Sequence, residues 1–170
     1  MPTPTSTLSR RGPLWLVLGA PGSGKGTMCK RFVGGNEVRV STKVHHISVG
    51  DLLREQKARG VLPPEVAEEV EKQILMDGRQ AVEMIESAGV HEMLSRQEIV
   101  ILDGFPRNMD QLHVLENQLG PPDLVISLEC QRQVAFGRHL GRRDGSRPDR
   151  DVALFDKRFG EFERENPSIS

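Results

Sequence analysis

The sequence predicts an α/β fold built on a parallel sheet. Two observations carry that reading. Apolar runs of the kind buried on both faces of a parallel sheet, Leu14–Leu18, Ile99–Leu102 and Leu124–Leu128, alternate with helical stretches. The first run feeds directly into the glycine-rich segment Gly19-Ala-Pro-Gly-Ser-Gly-Lys25-Gly-Thr27, and a helical pattern follows. In such sheets ligands sit at the C-terminal ends of the strands, so Gly19, Asp103 and the start of an arginine-rich segment are expected to meet at one edge.

In order, Leu14–Leu18 is the first strand and Gly24 to about Phe32 the first helix. Val33–Lys43 is polar and glycine-containing, a surface excursion. Val44–Ser48 reads as a short strand and Asp51–Ala58 as a helix. Pro63-Pro64 punctuates, and Val66, Val70 and Ile74 then recur every four residues, one apolar stripe on a helix ending near Gly78. Ala81–Leu94 repeats a helical pattern through Val82, Ile85, Met93 and Leu94. Ile99–Leu102 is a strongly apolar strand ending in Asp103. A short helix follows Asn108 through Leu112 and Leu115, and Pro121-Pro122 precedes the strand Leu124–Leu128. Val134–Leu140 is helical. Residues 141–150 are rich in arginine, contain glycine and proline but no apolar residue, and read as an exposed loop. Val152, Phe155, Phe159 and Phe162 form the core face of a last helix, which Pro167 is expected to end.

At 170 residues the chain has room for one real core and a small lobe. Apolar content of 36% and charged content of 28% fit a soluble globular protein. A net charge of −1 gives no global case for nucleic acid or an anionic membrane. Arginine is concentrated locally, at Arg138, Arg142, Arg143, Arg147 and Arg150, and its planar fork suits phosphate recognition. Cys29 and Cys130 lie far apart in no metal-ligand spacing, which argues against a disulfide scaffold or a structural zinc and fits a reducing interior. No apolar run approaches the ~20 residues of a membrane span. Ser9-Arg10-Arg11 faintly resembles a twin-arginine signal, but its apolar part runs into the glycine loop, so it is read as the first strand. Residues 1–11 are read as a flexible tail.

Glycines let successive N–H groups converge on an anion. Lys25 adds a mobile charge, and the helix N-terminus adds its dipole. The spacing of Gly19 through Gly24-Lys25 matches G-x-x-x-x-G-K, a grip for the β- and γ-phosphates of a nucleotide. Gly26 stands where Ser or Thr usually follows the lysine, and Thr27 comes one residue later, near the expected metal. Asp103 ends an apolar strand, where a phosphate-loop site places a carboxylate that organises Mg²⁺, although a lone Asp after a strand is usually a turn former. Arg107 follows in Asp103-Gly-Phe-Pro-Arg107-Asn108, launched from the same sheet edge.

Four separated motifs resemble those of nucleoside monophosphate kinases of the adenylate kinase and UMP/CMP kinase family, in that family's order. They are Gly19–Thr27, His46-Ile-Ser-Val-Gly-Asp-Leu-Leu-Arg54, Ile101-Leu-Asp-Gly-Phe-Pro-Arg-Asn108 with Gln111, and Ser146-Arg147-Pro-Asp149 with Lys157-Arg158-Phe159. The resemblance covers about 155 residues. It implies a P-loop NTPase fold, three-layer α/β/α, with a core of residues 12–48, 96–137 and 151–170. A helical NMP-binding insertion spans 49–95 and a short lid 138–150.

The resemblance also implies the site. Gly22, Ser23, Gly24, Lys25, Gly26, Thr27 and Arg142 would hold ATP. Arg54, Gly104, Arg107, Asn108 and Gln111 would hold the acceptor, and Asp103 would hold Mg²⁺, through water. Lys25, Arg107, Arg138, Arg147 and Arg158 would act on the transferring phosphoryl group as a lid closes and excludes water. Arg143 and Arg150 read as solvated lid charges. The implied reaction is Mg·ATP plus a nucleoside monophosphate giving ADP and a diphosphate. The implied partners are small nucleotides, with neither nucleic acid nor membrane, for a monomer in the cytoplasm or nucleus. Gln111 resembles the adenine reader of adenylate kinases, though some uridylate kinases carry Gln there. Asn108 resembles UMP/CMP kinases, and Val49 cannot donate a hydrogen bond, so the lean is to UMP or CMP.

The sequence departs from the family at several points. Gly78-Arg-Gln-Ala-Val82 lacks the usual proline and has Gln80 for an apolar residue. Arg150 and Ser146 replace an Asp and a Gly of the lid, which looks one residue short between Arg142 and Arg147. Val33–Lys43 is about six residues longer than expected. The family continues past the position of Pro167 with a strand expected beside the phosphate-loop strand, and a helix. Without them the sheet would carry an open apolar edge, and the alternative is a degenerate ATP-binding module without turnover.

Overall fold

The computed structural model describes residues 11–34, 42–71, 75–141 and 152–169. Its strands are β1 (Leu14–Gly19), β2 (Val44–Ser48), β3 (Ile99–Asp103) and β4 (Leu124–Leu128). Its helices are α1 (Lys25–Gly34), α2 (Val49–Ala58), α3 (Pro64–Glu71), α4 (Gly78–Ser87), α5 (Val90–Ser95), α6 (Met109–Leu119), α7 (Arg132–Leu140) and α8 (Val152–Ile169). The strands form one parallel sheet in the order β2-β3-β1-β4. This is the predicted α/β arrangement of a P-loop NTPase, with helices flanking a parallel sheet.

The period-2 alternation of each strand sorts the core into two layers. Leu14, Leu16 and Leu18 of β1, Val100 and Leu102 of β3 and Ile47 of β2 pack with Val82, Ile85, Val90, Leu94 and Leu115 from α4, α5 and α6. Val17, Ile99 and Ile101 face the other way, onto Cys29 of α1, with Trp15, Phe32 and Val44 around them. A third cluster joins Ala20 of the loop after β1 to Ala135 of α7 and Phe155 and Phe159 of α8.

Several expected boundaries move. The helix that begins at Pro64 does not run to Gly78. Asp77 accepts a hydrogen bond from Arg79 N–H at 2.9 Å and caps a new helix, α4, at whose start Gly78 lies. A Cβ on Gly78 would lie 3.1 Å from Gln111 Cα and from Val114 Cγ2, so glycine there permits close approach of α4 and α6. The predicted helix Ala81–Leu94 is two helices, divided at Gly89, whose φ of 86° is left-handed. Helix α8 does not stop at Pro167 but runs to Ile169, which packs on the core. Proline costs only one bond of the last turn there.

β4 occupies its predicted range, but its residues are exposed or half-buried, Leu124 at 42%. It pairs only with β1 among the described residues. The phosphate-loop strand β1 has β3 on one side and β4 on the other, so no further strand fits beside it, contrary to expectation. An added strand would have to pair with β4 or β2. Arg11, assigned to the tail, is anchored: its guanidinium donates to Asp123 Oδ2 at 3.0 Å and to the Pro121 carbonyl.

Candidate functional site

The C-terminal ends of β1, β2 and β3 lie in register, with Val17 and Ser48 both opposite Asp103. The segments that leave these ends carry the predicted site: the glycine loop after β1, α2 after β2, and Gly104–Asn108 after β3. Gly104 N–H donates to the Val17 carbonyl at 3.2 Å, joining the β3 exit to β1 just before the loop.

The loop from Gly19 to Gly24 turns through positive φ at Gly22 (84°) and Gly24 (102°). Gly22 is also pressed against α7, where a Cβ would lie 2.1 Å from the Ala135 carbonyl oxygen. Lys25 opens α1 and folds back, donating to the carbonyls of Gly19 at 2.6 Å and Ala20 at 2.9 Å. Its ammonium therefore lies over the loop, at the positive end of the helix. Ser23 Oγ is buried with no hydrogen-bond partner among the described residues. A buried hydroxyl of this kind is costly to leave unmatched and suits a ligand oxygen. Thr27 is exposed. Arg138 Nη1 donates to the Ser23 carbonyl at 3.2 Å, so α7 delivers this arginine to the loop.

Asp103 is buried, and its Oδ2 lies 3.1 Å from His46 Nε2. A Cβ on Gly26 would lie 3.3 Å from the same oxygen, which places Asp103 beside the turn that carries Thr27. Cys29, one turn after Lys25, completes the cluster from α1. Burial pushes the Cys29 thiol up to about 12, the Asp103 carboxylate adding to the shift and Lys25 opposing it.

On the β3 exit the Phe105–Pro106 peptide is cis, and the exposed Arg107 donates from Nε to the Gly104 carbonyl at 3.0 Å. Asn108 caps α6 by accepting from Gln111 N–H at 2.9 Å. Gln111 is buried. Its Oε1 accepts from Arg107 N–H at 2.7 Å, and its Nε2 donates to the Met76 carbonyl at 2.7 Å. It therefore fastens the Arg107 turn to the approach to α4. Arg54 of α2 lies beside Gly50 and pairs with Asp51.

A family described as an AAA domain matches residues 18–154. The adenylate kinase of Nautilia profundicola is 34% identical over 155 residues, 88% of this chain and 76% of that protein. The UMP-CMP kinase of Lentinula edodes is 30% identical over 181 residues, 96% of this chain and 75% of that protein. This chain belongs to the nucleoside monophosphate kinase family of adenylate and UMP-CMP kinases. The UMP-CMP kinase of Prunus armeniaca is similar as well, at 32% identity over 98% of this chain and 67% of that protein. Membership makes the chain a phosphotransferase of the P-loop class. No described helix is long and apolar enough to cross a membrane.

For a kinase of this family, the structure brings Lys25, Ser23, Gly26, Asp103 and Arg138 to one sheet edge. Arg54, Arg107, Asn108 and Gln111 follow the neighbouring strands. Arg158 lies half-buried on α8, which packs against α7 through the ring pair Phe136–Phe155 at 5.1 Å. Arg142, Arg147 and the rest of the expected lid loop to residue 150 lie outside the described residues, as do 35–41 of the long excursion. The sequence alone assigns no role to His46, which is in contact with Asp103, or to Cys29 beside it. The signals are faint: His46 opens a motif, and Cys29 lies four residues after Lys25, on the same helix face.

Proposed function

We propose that the chain transfers the γ-phosphoryl group of Mg·ATP directly to the phosphate of a nucleoside monophosphate, with UMP or CMP favoured over AMP. The observation that carries this reading is the convergence of the Lys25 loop and Asp103 at adjoining strand ends, with Arg107 four residues beyond Asp103. Transfer between two polyanions needs positioning and charge neutralisation more than covalent chemistry.

The residues fit ATP and magnesium. The Ser23 hydroxyl, which has no partner among the described residues, the loop amides and Lys25 would hold the phosphates of ATP. Asp103 and Thr27 would hold Mg²⁺, Asp103 through water; the ion supplies charge neutralisation on the phosphate oxygens. Arg54 and Arg107 clamp the acceptor phosphate. Arg138 and Arg158, with Arg142 and Arg147 of the lid, gather on the transferring group. The acceptor phosphate is itself the nucleophile, so no triad is required.

The preference for a pyrimidine rests on Asn108 following Arg107 and on Val49, which is buried and offers an acceptor base no hydrogen bond. It also draws support from Gln111, whose amide already serves Arg107 and Met76. The test is coupled ADP release with AMP, UMP, CMP and dCMP. Turnover is expected with UMP and CMP above AMP, and Arg107→Ala raises the acceptor KM and lowers kcat. A folded sample that phosphorylates none of the four refutes the proposal. ATP-dependent thermal stabilisation without turnover would instead identify a binding module.

A further inference from the structure

Three side chains from three different elements meet beneath the phosphate loop. Cys29 comes from α1, His46 from β2 and Asp103 from the end of β3. Their Sγ, Nε2 or Nδ1, and carboxylate oxygen all lie within 4.8 Å of one another. The strand pairing explains the meeting. β2 and β3 run parallel with His46 opposite Ile101 and Ser48 opposite Asp103, so His46 and Asp103 project from the same face of the sheet. That face is the one α1 covers, with Cys29 pressed against Val17 and Ile101.

We propose that Cys29, His46 and Asp103 form a binding site for a zinc-class divalent ion. Thiolate, imidazole and carboxylate are the three ligand types zinc takes, and three protein ligands with an open position is the pattern of its accessible sites. The mixed S, N and O set selects against magnesium and calcium, which take oxygen. Bond lengths of about 2.0–2.3 Å around a tetrahedral ion put ligand atoms roughly 3.3–3.7 Å apart. His46 Nε2 and Asp103 Oδ2 are already 3.1 Å apart, and the whole set closes with shifts on the order of 1 Å. The side chains of His46 and Asp103 are 11% and 9% exposed, which gives an entry path, while Cys29 seals the inner end. On binding, the Cys29 thiol gives its proton to solvent and the metal takes its place.

An ion held there occupies the carboxylate that would otherwise organise the nucleotide's magnesium, so the site is inhibitory. This consequence rests on the proposed function; the site itself does not.

Reduced, chelator-treated protein without nucleotide is titrated with Co²⁺, whose visible and near-ultraviolet spectrum reports geometry and thiolate ligation. One equivalent is expected to give tetrahedral d–d bands and a thiolate-to-cobalt charge-transfer band, both abolished by Zn²⁺. Cys29→Ala loses the charge-transfer band and weakens binding by at least about tenfold. His46→Asn keeps that band but weakens binding comparably. Thermal melting confirms that each variant is folded, and Cys29→Ala alone decides if His46→Asn is not. A purely octahedral cobalt spectrum, or equal affinity in folded Cys29→Ala, overturns the site. Mg·ATP is expected to weaken cobalt binding. An unchanged cobalt affinity in saturating Mg·ATP overturns the inhibitory role alone, because the site stands or falls on the nucleotide-free spectrum.

Discussion

Gly22→Ala tests how tightly the phosphate loop is built against α7. Gly22 has a φ of 84°, where an L-residue costs about 1–2 kcal/mol. Its added methyl would lie 2.1 Å from the Ala135 carbonyl oxygen and 2.8 Å from the carbonyl carbon. These are backbone atoms of a helix, and Ala135 is fully buried against Phe155 and Phe159, so the obstacle cannot rotate away. Forcing such a shift costs about 1–3 kcal/mol more. The sum is about 2–5 kcal/mol, a large part of the ~5–15 kcal/mol that holds a domain.

Gly104 supplies the control. Its φ is 75°, yet a Cβ there meets nothing within 4 Å. Gly104→Ala should therefore lose only the conformational part, about 1–2 kcal/mol. Urea unfolding measures both. Gly22→Ala should lower the midpoint by about 1–2 M and Gly104→Ala by less than about 1 M. Equal losses in the two variants would refute the contact argument, and a loss below about 1 kcal/mol in Gly22→Ala would refute the strain argument too.

Gln111→Leu removes the bonds to Met76 and Arg107 and leaves a buried carbonyl unmatched, so it should cost about 2–4 kcal/mol in urea unfolding. A loss under about 1 kcal/mol would mean that water replaces the amide. The Cys29 thiol sits at about 12 in the fold against 9.0 ordinarily. The folded state thus holds the proton more tightly, and this stability is complete below pH 9.0 and is lost as pH rises toward about 12. Wild type should lose more stability than Cys29→Ala between pH about 8 and about 10.5 in urea titrations, and parallel losses would refute the assignment. Lys25→Met loses the bonds to the Gly19 and Ala20 carbonyls and should melt lower in buffer, and it should also lose most of the further stabilisation that ATP confers; unchanged ATP-dependent stabilisation would remove Lys25 from the site.

What the sequence made legible is what local chemistry decides. An apolar run needs two covering layers, and a glycine loop entering a helix admits few shapes, so β1, β3 and the loop fall where read. Where two local signals compete, the pattern misleads. Val66, Val70 and Ile74 continue a helical period toward Gly78, but Asp77 is a better start than Gly78 is a stop, because its carboxylate satisfies an N–H that α4 would otherwise leave open. Ala81 to Leu94 keeps its period across Gly89 because both helices bury the same side, and only the left-handed φ reveals the break. The remaining gap is long-range. Nothing near Gln111 in sequence announces that the Met76 carbonyl will claim its amide, and nothing near Cys29 announces Asp103, 74 positions on, or His46 between them. Those contacts are set by the register of β2 on β3 and the seating of α1 across both, which are properties of the assembled sheet. A motif therefore locates where chemistry happens, whereas the atoms left to perform it are decided by which polar groups the fold has already spent.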